Sequence, residues 1–236
     1  MSKGTVRLIA LIIAGVAVFM WFSGRNKTKK PVVLPGIATS SQGEGLNEDG
    51  NAYTASFIDF SEDPVQGPAN GSVQTKAAGY DMTIKFLASY DIKALVVHTH
   101  DYKSGDYSSQ LAPRDLALAW GPVAEYNNRI DFHWSQSNRW YYWQVNDVKE
   151  LDPVGGVKGV ETHSANNHIV PANDKIRKEL MKVKAGDSVE IIGYLVDIHG
   201  TKEDGSWASW TSSTSRNDTG DGACEIIYAT EFVRSR

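Results

Sequence analysis

The chain has 236 residues, with 24 Lys+Arg against 28 Asp+Glu and a formal net charge of −4. All six charges of residues 1–30 are positive, so the remainder holds 18 basic against 28 acidic residues, a net of about −10; a surface this acidic excludes a nucleic-acid binder, because phosphate backbones reward clustered cations. Cys224 is the only cysteine, which excludes an intramolecular disulfide, CxxC redox chemistry and a cysteine-rich zinc site.

The first element is the apolar run Leu8–Phe22 between Arg7 and Arg25. A bilayer-spanning helix needs about 17 to 20 residues, and Leu8 through Gly24 supplies a short but adequate span with Trp21 at the interface. A cleaved signal peptide would need small residues near the end of the run. The nearest, Ala14–Ala17, would leave a mature terminus of VFMWF, so a retained anchor over residues 1–30 is expected. Lys3 and Arg7 precede the span while Arg25, Lys27, Lys29 and Lys30 follow it, a balance that points the domain to the cytoplasm. The short basic tail before the span is instead that of a signal anchor, which keeps its N-terminus inside. The expectation adopted is a single-pass protein of a bacterial inner membrane with its domain in the periplasm.

Residues 31–52 are rich in Gly, Ser, Pro and Asn and poor in large apolar side chains, the composition of a flexible linker. The soluble domain is then 53–236, long enough for a single core. Short alternating segments broken by Gly, Asn, Asp and Ser predict strands at Tyr53–Phe60, Met82–Leu87 and Ile92–His98. Pro113–Trp120 is read as a short helix. Ile130–Trp134 and Arg139–Val145 form a predicted hairpin around the connection Ser135–Asn138. Asn173 is an N-cap candidate for a helix over 175–183. Asp187–Ile198 is a long strand with Gly193 at a bulge or close approach, and strands at Ser206–Ser212 and Cys224–Val233 complete the chain. The fold class is α+β and β-rich: one N-terminal transmembrane helix, then one mainly antiparallel β domain whose C-terminal part suits an SH3- or OB-like barrel.

The segments DLALAWG (115–121), SQSNRWYYW (135–143), ETHSANNHIVPAN (161–173), GDSVEIIGYLVDI (186–198) and SSTSRNDTGDGACEII (212–227) together resemble a family of bacterial hypothetical proteins with an N-terminal membrane anchor and a β-rich soluble domain. The resemblance covers most of residues 80–233. It implies anchoring and a bacterial source and supplies no catalytic residue.

Candidate chemistry lies in five places. His98 and His100 at i, i+2 on a strand point the same way and form a metal pair, yet His133, His163, His168 and His199 fall in no recognised ligand spacing, so a polar strand end is preferred. Cys224 with His163 or His168 and Asp218 would make a Cys–His–Asp set. Parity places Cys224 with Ile226, Tyr228 and Phe232, opposite Glu225 and Glu231, as an inert core thiol. The loop 217–222 has Asn217, Thr219 and Asp221 at alternate positions, but Tyr228 stands where a calcium loop needs glutamate. The loops 162–168 and 212–222 gather polar side chains, with Asn167 and Arg216 as binding candidates. Last, Trp140, Tyr141, Tyr142 and Trp143 are consecutive, so two must face away from whatever the others bury, and the outward pair can meet a sugar or a protein.

The expectation is a membrane-tethered, non-enzymatic domain binding another cell-envelope component, a protein first and a polysaccharide second, with no cofactor, no metal and no nucleic acid. The alternative is a hydrolase using the 162–168 and 212–225 loops.

Overall fold

The computed structural model describes residues 58–215 and 223–235, together with the backbone of 43–46 and 52–55. Its strands are β1 (Gly43–Leu46), β2 (Ala52–Ala55), β3 (Val65–Pro68), β4 (Ser72–Ala77), β5 (Tyr80–Asp101), β6 (Arg114–Ala119), β7 (Ser135–Ser137), β8 (Trp140–Tyr142), β9 (Ser164–Pro171), β10 (Ser188–Thr201), β11 (Trp207–Thr211) and β12 (Glu225–Ser235). Four short helices intervene: α1 (Tyr107–Leu111), α2 (Gly121–Tyr126), α3 (Gly156–Thr162) and α4 (Asp174–Leu180). The fold is β-rich, with a mixed and mainly antiparallel sheet. Among the described residues no helix is long and apolar enough to cross a membrane, and the span Leu8–Gly24 lies outside them.

Five strands close on themselves. β5 pairs with β6, β6 with β9, β9 with β12, β12 with β10, and β10 returns to β5. Every pairing is antiparallel except β9–β12. The interior is mainly apolar and drawn from all five strands, with Ile92, Leu116, Leu118, Ile169, Ile191, Ile227 and Phe232 in one buried cluster and Asn167 and Glu225 as buried polar residues beside it. One side of α4 enters the same cluster through Ile176 and Leu180. That helix starts where Asn173 accepts the Ile176 N–H at 2.9 Å, the cap expected from its sequence. Gly193 sits where the β10–β12 register shifts. A Cβ there would lie 2.0 Å from the Tyr228 carbonyl oxygen, so only glycine lets the two backbones approach.

Four features differ from the expectations. Met82–Leu87 and Ile92–His98 are parts of one 22-residue strand, β5, because β10 pairs with it from Asp81 to Leu95 across the more polar middle. Arg114–Ala119 is a strand, not a helix: five of its six residues are buried, so both faces are covered and no period stands out. The hairpin is tighter than predicted, with Ser135–Ser137 and Trp140–Tyr142 as its strands and Asn138–Arg139 as its turn. Finally, β1 falls inside the 31–52 stretch and pairs with Phe232–Arg234 of β12. Main-chain bonding to a sheet edge needs no apolar side chains, so composition does not reveal it.

Both outer sides of the ring are covered. Ala117 and Ala119 of β6 join Val123, Phe132, Tyr141, Trp143, Leu151 and Val160 in a second apolar cluster, built by the segment between β6 and β9. Met82, Ile84, Leu111, Val170, Val196 and Ile226 form a third, beneath α1 and the far ends of β5 and β10.

Candidate functional site

A polar centre lies on the outer wall of the ring. Register fixes its two rows. His100, Asp115, His168 and Ile226 are cross-strand partners in one, and His98, Ala117 and Asn166 are partners in the next. Cys224, two residues before Ile226, falls beside Asn166. Side chains two apart on a strand share a face, so all of these project outward while Leu116, Asn167, Ile169, Glu225 and Ile227 project into the barrel.

The hairpin β7–β8 completes the centre from above. Arg139 Nη1 donates to Asp115 Oδ1 at 2.7 Å and to the Ala112 carbonyl at 3.0 Å, and Nη2 reaches Ser108 Oγ at 3.3 Å. Its guanidinium lies 3.7 Å from the centroid of the Tyr102 ring and 5.3 Å from that of Trp210. Asp115 is fully buried, and His168 Nδ1 stands 2.9 Å from the same Oδ1, close enough to pair although the ring is not aligned for a hydrogen bond. A carboxylate at this depth needs such partners, because an uncompensated buried charge costs several kcal/mol. Gln136 Nε2 donates to Asn166 Oδ1 at 2.6 Å, and Gln136 Oε1 lies 2.9 Å from His98 Nδ1. Asn166 Nδ2 donates to the Arg139 carbonyl at 2.8 Å and is 4.0 Å from Cys224 Sγ, which is 3.8 Å from that same carbonyl.

Two features show how tightly the tip is held. Asn138 and Arg139 have φ of 52° and 69°, the left-handed pair of a tight hairpin turn, in which the second position ordinarily takes glycine. An arginine accepts that strain, on the order of 1 kcal/mol, and in return places its guanidinium on Asp115. The Arg139 N–H donates to Tyr102 Oη at 2.8 Å. Burial, reinforced by the nearby Asp115 charge, pushes the Tyr102 phenol up to about 12.

The sequence candidates separate. His98, His100, His168 and Cys224 belong to the polar centre. Cys224 is half-buried and faces Asn166 rather than an apolar core. Its parity with Ile226 and Tyr228 holds, but Phe232 lies inside the barrel with Ile227 and Ala229. The β10–β12 register passes from Glu231 to Ala229, so Thr230 is an inserted residue that reverses the alternation. Glu225, expected opposite the core, is 3 % exposed and on the inner side. Asn167 is fully buried, its amide donating to the Ala165 carbonyl, and also faces inward. His163 stays local to the end of α3, with Nδ1 2.9 Å from the Gly159 carbonyl and the ring seated against Gly121, where a Cβ would come within 2.9 Å of it. Tyr141 and Trp143 are buried in the second cluster, leaving Trp140 and Tyr142 as the half-exposed pair. Asp218 and Arg216 lie outside the described residues. Among the described residues no group of three or more His, Cys, Asp and Glu side chains is placed to hold a metal ion.

Asp115, Arg139, Asn166, Gln136, Tyr102 and Trp210 were not singled out in the sequence. The available signal was a lone aspartate in the apolar run RDLALA, which a helical reading of that run leaves as an ordinary first-turn acid.

With this geometry in hand, comparison with known proteins adds nothing: no protein-family model, no curated protein and no solved structure matches the chain.

Proposed function

We propose that this chain is a membrane-tethered, non-enzymatic domain that binds another component of the bacterial cell envelope on the outer wall of an OB-like barrel. The observation that carries the reading is the polar centre, in which Asp115, Gln136, Asn166 and His168 surround Arg139, whose guanidinium lies between the rings of Tyr102 and Trp210. Ring order supports it. Numbered along the chain, the ring strands run first, second, third, fifth, fourth, with the third and fifth parallel and a helix between the third and fourth. That is the order of an OB-fold, whose second and third strands, with the loops flanking them, take oligonucleotides and oligosaccharides. Here those elements are β6, β9, the connection carrying Tyr102 and α1, and β11 with Trp210. The argument from fold is analogy; the residues carry it further. The acidic domain repels phosphate backbones, whereas carboxylate, amide, guanidinium and aromatic groups suit sugar hydroxyls and ring faces. A polysaccharide therefore ranks ahead of the protein partner expected from sequence, since Tyr141 and Trp143 are buried.

The tether is residues 8–24 of an inner-membrane anchor, as the resemblance to anchored bacterial proteins implies, and the short basic tail before the span, like that of a signal anchor, supports a domain in the periplasm. Full-length protein in detergent should be retained on isolated envelope polysaccharide, and Asn166→Ala should abolish retention. No retention on any envelope polysaccharide would defeat the reading. Alkaline phosphatase fused after Arg236 should be active; an inactive fusion beside a fluorescent cytoplasmic reporter would reverse the topology.

A hydrolase is the second reading, favoured by one observation: Cys224, Asn166 and the Asp115–His168 pair share a face. Hydrolysis of activated esters that is lost in Cys224→Ser, in protein that still folds, would establish it in place of the first.

A further inference from the structure

The polar centre is roofed by a piece of chain that belongs to neither the barrel nor its sheet extensions. Among the described residues β7 and β8 pair only with each other, as a separate two-stranded sheet. A two-stranded hairpin is at best marginally stable alone, so what holds it down decides its behaviour.

Its two ends are held by different physics. At the base, Phe132 and Trp143 are buried at 2 % and 1 % exposure, and the Trp134 ring stacks on that of Phe132 at 4.8 Å. Tyr141, the cross-strand partner of Gln136, carries the apolar anchoring part-way up β8, its ring 6.2 Å from that of Trp134 and its Oη donating to the Ser164 carbonyl at 3.2 Å. At the tip, the attachments to the wall are polar: Arg139 to Asp115, Gln136 to Asn166 and His98, Asn166 to the Arg139 carbonyl, and the Arg139 N–H to Tyr102. Apolar contacts have no substitute in water. Polar bonds exchange for water or for a ligand at a net difference of only about 1 kcal/mol each. His133, between the base residues, takes a φ of 44°, a left-handed bend where the chain enters the hairpin.

We propose that β7–β8 is a lid, hinged on its aromatic base and latched at its tip by Arg139 and Gln136, that opens to admit a saccharide to the wall beneath. The proposal rests on the reading of the polar centre as the ligand site. Opening frees Asp115 and Asn166 from Arg139 and Gln136, and these are the carboxylate and amide groups that a sugar would use. Closed, the hairpin supplies their partners; open, the wall presents them.

Native-state hydrogen exchange on the full chain in detergent tests the lid without a ligand. Amides of 135–142 should exchange through an opening at least about tenfold more frequent than that of 164–170 in β9, and with a weaker denaturant dependence. Arg139→Lys keeps the charge but loses the planar fork and the stacking, and Gln136→Ala removes the second catch without touching a charge. Each should speed exchange at 135–142 about tenfold, the effect of one strong hydrogen bond, and leave 164–170 unchanged. If the two segments exchange together in the native protein, or both variants shift them equally, the hairpin is part of one cooperative unit and the lid is wrong. Adding envelope oligosaccharide separates the two ideas. Altered exchange at 135–142 supports both, whereas independent opening that the sugar leaves unchanged keeps the lid and removes the ligand.

Discussion

The two sides of the β6–β9–β12 wall are both buried and could hardly be more different. Inward, Leu116, Leu118, Ile169, Ile227 and Ala229 pack against one another and α4, with Asn167 and Glu225 as buried polar exceptions. Outward, one residue away in each strand, stand Asp115, Asn166, His168 and Cys224. The inner side is explained by burial of apolar area, which is what stabilises a domain of this size. The outer side is not. A buried ion pair is weak evidence of stabilisation, because desolvation consumes most of the attraction. On the proposed function, these side chains, held by a turn with a strained arginine, serve the ligand and not the fold.

That contrast makes graded predictions. The largest effect belongs to the inner side: Ile169→Ala should lose about 4 kcal/mol in denaturant unfolding. A loss below 1 kcal/mol would mean the barrel interior is loosely packed. Next, Arg139→Ala should lose about 3 kcal/mol, since it strands the Asp115 charge. If this change is neutral, Asp115 is not paired through Arg139. Cys224→Ala should cost on the order of 1 kcal/mol, because it is a half-buried small side chain, and a larger loss would make the thiol part of the core. The smallest effect is in alkali. Because the Tyr102 pKa is raised by folding, its contribution is fully present below pH 10 and is lost as pH rises toward about 12. Burial raises Tyr107 and Tyr141 as well, so ultraviolet titration should show several phenols ionising late in the native protein, and Tyr102→Phe should remove one of them.

Much of the architecture was legible because it follows local rules. The Asn173 cap, the Gly193 close approach and the long strand Ser188–Thr201 each depend on a few neighbouring residues. The β5 interruption was misread because its polar middle faces strands far along the chain. RDLALA was misread because a strand buried on both sides shows no alternation. The site was half legible: His98, His168 and Cys224 stood out as chemically capable residues. Asp115, Arg139 and Asn166 did not, since they come together only when a wall formed by four strands meets a hairpin inserted between two of them. Parity failed at one point, Thr230, where a single inserted residue exchanged inside for outside and sent Glu225 inward.

The central claim is that the outer wall is retained for binding and not for folding. Replacing both members of the pair, Asp115→Leu with Arg139→Met, removes the charges together and leaves neither stranded. Unfolding free energy and retention on envelope polysaccharide would be measured on the same preparation of full-length protein. The account predicts stability within about 1 kcal/mol of the native chain and loss of retention. Retained binding, or unfolding of the variant, would contradict it.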